Sequence, residues 1–408
     1  MRKINPTNFT LAKRGTSREI NRQIALTLIR AHQPISRADL SRLMDTNRAN
    51  VTFIINELLQ EELVREGAQG NDKVRGRKPT FLYLNSQKSY AVAVDVRVSR
   101  TFMMITDSIG KQIGEIISFP TEPDPAKFVI QLSQHLRQIL NQDLPMSDCQ
   151  GIGIIVPGML DQKSGMVINA PTLSWRNVKL LAPLQAEFDG VEVYLENSGK
   201  ACALSQIWAT RNDHTDFNDL VFVSISDGVG VGVVINGELI RGKHNTAGEF
   251  GHVPLSIDGP QCSCGAKGCW EAYISNLATL SRYFGRNQNQ RFPQTVENAE
   301  FTIEDLIVRA RSGDSKALTT LHLTARYLGL GLASIINAID PSYIYIGGEI
   351  TEAWDLIESE VREAIKERTL TRELGVTPIR IVPAIEHPRL RGAVALVTAP
   401  AFAAPKVA

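Results

Sequence analysis

Four side chains able to hold a soft metal ion fall in one short stretch: His252, Cys262, Cys264 and Cys269, the last three accounting for three of the five cysteines in the chain. One imidazole and three thiolates complete a tetrahedral coordination sphere and leave no open position, the pattern of a structural zinc rather than a catalytic one. Sulfur donors disfavour magnesium and calcium. Gly259, Gly265 and Gly268 suit a tight knuckle around an ion, because such a turn calls for left-handed backbone that other residues resist. The alternatives are three buried cysteines packed as small hydrophobes, or a disulfide with one thiol spare; a C-x-C pair with a third cysteine five residues on favours the metal. Two carboxylates flank the knuckle, Glu249 before His252 and Glu271 after Cys269. A loop closed on a metal brings both to one place, where they offer acceptors to hydroxyl groups, as binding a polyol such as a sugar requires.

G-E-F-G-H at 248–252 followed by C-S-C-G-A-K-G-C-W-E at 262–271 resembles the signature of the ROK family of sugar kinases and sugar-responsive repressors. The resemblance extends to V-P-G-M-L-D at 156–161, N-A-P-T-L-S-W at 169–175, Glu196-Asn197 and I-G-G-E at 346–349. With the N-terminal segment described below it covers nearly the whole chain, and it is strongest to the repressor branch, the regulators of the xylose-repressor and N-acetylglucosamine-repressor type. It implies two actin-like, ribonuclease-H-like lobes facing a cleft, with Asn197, Glu249, His252 and Glu271 at the positions where the family grips sugar hydroxyls.

In the kinases of that family an Asp directly after the Asn of an E-N-D motif is the general base. Here the residue is Ser198, which supplies no carboxylate. The kinases open the first lobe with D-I-G-G-T or similar, whose glycines let backbone amides approach phosphates; this chain has Asp95-Val96-Arg97-Val98-Ser99. A second loop at 226–232 keeps its glycines but has Val229 where the kinases usually offer a threonine hydroxyl. A retained sugar side and an eroded phosphate side point to a sensor without enzymatic activity. The competing reading is an active ATP-dependent sugar kinase with a DNA-binding appendage, and a third has a protein partner setting the switch.

The elements that position these residues begin with charge. The whole chain carries a net charge of +1, yet residues 1–84 hold 15 Lys and Arg against 8 Asp and Glu, a net +7, and the remainder is −6. Such a separation implies that the first segment meets a polyanion. Residues 1–16 read as a loose basic arm. Ile20, Ile24, Ala25, Leu28 and Ile29 recur at helical spacing and predict a helix over 17–31, with Ser17 as its cap and Pro34 beyond its end. Ser36 caps a short helix with Ala38, Leu40 and Leu43 inward, Asp45-Thr46 makes a turn, and Asn47 caps a third helix burying Val51, Ile54, Ile55, Leu58 and Leu59. This is the order of a helix-turn-helix, whose third helix would enter the major groove with Arg48, Asn50 and Thr52 facing the bases. A basic stretch at 70–79, holding Arg75, Arg77 and Lys78, runs into a strand at 80–84 and reads as a wing reaching phosphates or a minor groove. The segment is also similar to the winged helix of the repressor branch.

With 408 residues, 43% hydrophobic and 21% charged, the rest is long enough for more than one ordinary globular core. Strands are expected at 90–96, 101–106, 112–119 and 151–156, with a helix at 125–142. The same β-β-β-α-β order is expected to recur from Leu220, with helix over 303–339, a strand at 343–346 and a frayed tail after Val397. Cys149 and Cys202 read as core residues. The expected fold is α/β: a winged helix-turn-helix over 1–85, then a two-lobed sugar-kinase-type domain over 86–408 with its zinc loop at 252–269. No apolar run reaches membrane length and no signal peptide is recognisable, so the expected location is the cytoplasm. The expected partners are double-stranded operator DNA and a sugar or sugar derivative, with the family expectation of a homodimer or higher homo-oligomer.

Overall fold

Helical spacing of apolar residues folds the N-terminal segment around a small core. In the computed structural model, which describes residues 16–67, 80–141, 144–210, 219–286 and 301–402, α1 (Thr16–His32), α2 (Arg37–Leu43) and α3 (Arg48–Gln60) pack over a sheet of β1 (Ile35–Ser36), β3 (Phe81–Leu84) and β2 (Val64–Gly67), in that spatial order. Ser36 Oγ accepts from the Asp39 amide at 3.1 Å, and Asn47 Oδ1 from the Asn50 amide at 2.9 Å. These are the two expected caps, each contributing about 1 kcal/mol. Ala25, Ile29, Leu40, Val51, Ile55, Leu58 and Leu82 are fully buried together. Three details differ from expectation. Ser17 lies inside α1 rather than capping it, Ile24 is exposed, and Leu43 is 48% exposed because a helix of only seven residues ends before its last turn meets the core. The strands β2 and β3 pair antiparallel, Val64 opposite Leu84 and Gly67 opposite Phe81; the expected wing with Arg75, Arg77 and Lys78 lies outside the described residues.

The first lobe is built from β4 (Tyr90–Val96), β5 (Arg100–Asp107), β6 (Gln112–Pro120), α4 (Pro125–Asn141) and β7 (Cys149–Val156). A three-stranded antiparallel sheet follows, β8 (Met159–Asp161), β9 (Met166–Ala170) and β10 (Trp175–Lys179), then α5 (Leu181–Glu187) and β11 (Val193–Asn197). Helix α6 (Ser198–Thr210) crosses to the second lobe, where β12 (Leu220–Ile225), β13 (Val229–Ile235) and β14 (Glu238–Leu239) precede α7 (Glu271–Ile274), α8 (Asn276–Phe284), α9 (Ile303–Arg311) and α10 (Ser315–Ile339). The chain ends through β15 (Tyr343–Gly347), α11 (Trp354–Arg368), β16 (Ile379–Val382), α12 (Pro388–Thr398) and a 3-10 turn, Ala399–Phe402.

The large sheets run β6-β5-β4-β7-β11 and β14-β13-β12-β15-β16. In each, the first three strands are antiparallel neighbours and the last two join in parallel, so the repeat expected from sequence is present as one topology used twice. Central strands β4 and β12 are buried on both faces, which is why they read as unbroken apolar runs. The region expected to be helical over 303–339 is two helices, because Gly313 adopts φ +94° and Asp314 caps α10. The tail is ordered further than expected. Phe402 is buried against Trp208, 5.5 Å between ring centroids, and against α1. Cys149 and Cys202 are buried core thiols, as expected. Among the described residues no helix is long and apolar enough to cross a membrane.

Candidate functional site

Between the lobes lies a cleft of about 860 Å³, and all four residues singled out for hydroxyl binding, Asn197, Glu249, His252 and Glu271, line it. Each arrives on a different support. Asn197 ends β11; its Nδ2 donates to the Gly158 carbonyl at 2.7 Å and its Oδ1 accepts from the Gly199 amide at 2.8 Å, so it caps α6 while facing the cleft. Glu196, fully buried beside it, accepts from Gln162 and pairs with Arg241, which makes it a scaffold residue. Lys200 lies buried below, donating to the Asn245 carbonyl at 2.8 Å. Burial lowers its pKa, with Glu196 and Glu249 opposing. Burial likewise pushes the Glu249 carboxyl up, while Lys200 and His252 pull it down.

The knuckle closes as its residue types require. His252, Cys262, Cys264 and Cys269 place their donor atoms within 4.8 Å of one another. Cys264 and Cys269 Sγ are 3.7 Å apart, and Cys262 Sγ is 3.7 Å from His252 Nδ1. Those separations are far beyond the roughly 2.05 Å of a disulfide. The sulfur–sulfur separation is close to the edge of about 3.8 Å that a tetrahedron with metal–sulfur bonds of about 2.3 Å would have. All five cysteines are free thiols. Burial, and then Glu271, raise the Cys262 thiol well above its ordinary pKa. The donor set could hold a metal ion. Gly265 and Gly268 adopt φ +99° and +70°, as expected. Gly259 does not adopt positive φ; glycine is needed there because a methyl group would come 2.6 Å from Gly268 Cα.

Glu271 starts α7 and ties the knuckle to the glycine-rich loop. Its Oε1 accepts from Ser263 Oγ at 2.9 Å and Cys262 Sγ at 3.5 Å, and its Oε2 from the Val229 amide at 2.9 Å. A backbone donor of the kind that would meet a phosphate is therefore held by the protein's own carboxylate. The opposite wall is similarly occupied. Arg97 Nε donates to Asp95 at 2.7 Å, and its guanidinium lies 3.8 Å from Glu349 of the second lobe. Arg389 donates to Ser226 Oγ at 2.6 Å and lies 3.9 Å from Asp95. Asn276 donates to Glu349 at 2.9 Å. At Gly348, with φ +107°, a methyl group would overlap the Ile225 carbonyl, and at Gly347 one would meet the Phe222 ring, so both glycines serve close packing at the strand end. The sequence reading identified Arg97 only as a lost glycine, and Arg389 carried no signal because its partners are remote in the chain.

A ROK family model matches residues 92–399. The chain belongs to the ROK family. Among its relatives, the xylose repressor of Bacillus spizizenii is 32% identical over 86% of this chain and 88% of its own length. The DNA-binding transcriptional dual regulator NagC of Escherichia coli is 26% identical over 93% and 92%. Of solved structures, a ROK family transcriptional regulator described as a homologue of the E. coli MLC protein superposes with TM-score 0.77 at 24% identity, covering 95% of this chain and 98% of that one. A Streptomyces griseus ROK glucokinase, solved with glucose and AMPPNP, gives TM-score 0.64 at 24% identity over 76% of this chain and 99% of its own. This ROK protein thus has the two-lobed actin-like fold, preceded by a winged helix.

At the other end of the ROK chain, Arg48, Asn50 and Thr52 are all exposed on the first turns of α3. Asn50 Nδ2 donates to Thr46 Oγ1 at 3.2 Å, and Thr52 Oγ1 back-bonds to the Arg48 carbonyl at 2.8 Å. Phe53, 57% exposed on the same helix with Arg18 5.4 Å from its ring, went unremarked in the sequence.

Proposed function

We propose that this chain is a DNA-binding transcriptional repressor whose cleft senses a sugar, with residues 1–85 contacting operator DNA and residues 86–408 forming the sensor. The observation that carries the reading is the asymmetry of the cleft. Asn197, Glu249, His252 and Glu271, expected on the hydroxyl side, line it together, and Asp95, Arg97, Arg389 and Glu349 on the expected phosphate side are paired with one another. Ser198 stands where a base would be required. The repressor names of the relatives support the same conclusion, and Asn197, Glu249, His252 and Glu271 are the residues we assign to sugar hydroxyls. A zinc ion held by His252, Cys262, Cys264 and Cys269 would supply structure, fixing the loop that carries Glu249 and Glu271.

On the DNA side we assign base reading to Arg48, Asn50 and Thr52, and phosphate or minor-groove contact to Arg75, Arg77 and Lys78. Charge supports this division. Within residues 1–84, the described part carries seven arginines and seven acidic residues, so the net +7 resides entirely in 1–15 and 68–79. In the helical body Arg18 and Arg22 face Glu57 and Glu61, and Arg37 faces Glu66. Pairing of operator half-sites by a homodimer or higher homo-oligomer completes the reading. The test is operator binding measured across a panel of sugars, alongside calorimetry with the same sugars. An operator affinity that no sugar alters, or ATP-dependent phosphorylation of a bound sugar, overturns it.

A further inference from the structure

Two helices begin at the cleft and end beneath the winged helix. α6 starts at Ser198, which lines the cleft beside Asn197, and α12 carries Arg389 in its first turn. At 13 and 11 residues they reach about 20 and 16 Å. At their far ends Trp208 of α6, Ala395 of α12 and Phe402 of the following turn join the buried core of the winged helix, with Ala25, Leu26 and Ile29 of α1. The Arg30 guanidinium sits 3.3 Å over the Trp208 ring and donates to the Trp208 carbonyl at 3.0 Å. Thr27 Oγ1 donates to the Phe402 carbonyl at 3.1 Å. α1 therefore stands on both helices at once.

The two helices are seated on different lobes. On α12, Leu390, Ala393 and Val394 pack with Ala93 and Ile155 of the first sheet, and a methyl group at Gly153 of β7 would overlap the Ala393 carbonyl. On α6, Cys202 and Ala203 pack with Leu220, Phe222 and Val234 of the second sheet, and Gly199 lies against β13 so closely that a methyl group would be 2.5 Å from the Val231 amide. Where α12 meets α6, Gly392 faces the Ala201 carbonyl with no side chain between. α6 continues directly from β11 of the first sheet and its Ala201 packs in the α12 cluster, while its other face lies on the second sheet, so this backbone-to-backbone contact is the place where a shear closure of about 1–2 Å is accommodated.

We propose that α6 and α12 act as a sliding pair that carries lobe movement from the cleft to the winged helix, with Arg30 on Trp208 as the contact that receives it. This rests on the sugar-sensor reading above. A sugar that draws the lobes together shifts α6 along α12, and the two supports of α1, Trp208 and Phe402, move relative to each other. α1 holds α3 through Arg18–Glu57 and Arg22–Glu61, so the displacement reaches the helix assigned to the major groove.

The test uses the full chain. Operator affinity is measured by fluorescence anisotropy with and without a saturating sugar, and sugar affinity by calorimetry, for wild type, Arg30→Ala and Trp208→Phe. In wild type the sugar changes operator affinity by a typical coupling factor of about 5- to 150-fold. In Arg30→Ala the sugar binds as in wild type and the operator is still bound, but the factor falls towards one. Sugar should also alter tryptophan emission in wild type and lose most of that effect in Trp208→Phe, a readout that does not depend on DNA binding. Wild-type coupling retained in Arg30→Ala, or a sugar-induced emission change identical in wild type and Trp208→Phe, overturns the sliding pair and leaves the sensor reading standing. A wild-type operator affinity indifferent to every sugar that binds overturns the sensor reading, and the sliding pair with it.

Discussion

Replacing Glu271 by Gln separates the sugar-binding role proposed for this side chain from its scaffold role. The carboxylate accepts from Val229 N and Ser263 Oγ, and from Cys262 Sγ only while that thiol keeps the proton that metal binding would remove. A glutamine amide is nearly isosteric, and its NH2 group, with two donors, can be turned towards Ser263, whose hydroxyl rotates to accept, and the Cys262 sulfur; the Val229 amide cannot reverse, so the amide oxygen stays on it. The hydrogen-bonding frame is preserved and the charge is lost. A hydrogen bond to a charged group is worth about 1.5–3 kcal/mol against about 0.5–1.5 for a neutral one, a difference of about 1–1.5 kcal/mol per bond. One sugar hydroxyl on Glu271 then predicts sugar binding weaker by about tenfold in Glu271→Gln, since 1.4 kcal/mol is a factor of ten. Calorimetry gives the affinity, elemental analysis confirms that the metal content is unchanged, and anisotropy confirms operator binding in the absence of sugar. Glu271→Ala, which also frees the Val229 amide and the knuckle, should be worse in both affinity and thermal stability. A Gln variant with full metal content and undiminished sugar affinity refutes the assignment of Glu271 to the sugar.

Protein purified without chelator should contain one zinc per chain by elemental analysis, and Cys262→Ser or Cys269→Ser should lose it together with sugar response, because sites of this kind are not held open without the ion. Arg48→Ala or Asn50→Ala should relax operator preference by about 1–3 kcal/mol per lost base contact, measured against substituted operators. Arg77→Ala and Lys78→Ala should each flatten the salt dependence of operator binding by about one unit of log–log slope, whereas Arg18→Ala, whose charge is already held by Glu57, should leave it unchanged. Ser198→Asp restores a carboxylate at the base position, yet a coupled assay should detect no sugar phosphorylation, since Arg97 and Arg389 remain paired across the phosphate side; turnover in this variant would show that side to be open.

What was legible in the sequence is what local spacing determines. The four knuckle residues lie within one loop and a neighbouring turn, so their convergence was legible, as were caps such as Ser36 and Asn47, which act over three positions. The apolar strands β4 and β12 announced themselves because burial on both faces removes alternation. The misses are tertiary. Nothing near Leu43 says that α2 stops short of the core, and nothing near Phe402 says that Trp208 and α1 will cover it. The strands β8 to β10 are short and carry family motif residues, so they were read as chemistry and not as a sheet. Arg97 was counted as the loss of a glycine, whereas its position against Asp95 and Glu349 makes it a replacement part. Arg389 meets those partners only after the whole second lobe has folded between them. The paired cations of α1 illustrate the same limit, since sequence supplies net charge but not which arginines are already neutralised.

The ion pairs that fill the phosphate side also set the kind of information the protein can deliver. A device that hydrolyses nucleotide can keep time, because each cycle is irreversible and its rate is fixed by turnover. On the sensor reading proposed above, with Asp95, Arg97, Arg389 and Glu349 paired with one another, no fuel is spent in this cleft. Its output then depends only on the present concentration of its ligand relative to the dissociation constant. It reports a level, retains no history, and resets as fast as the ligand leaves.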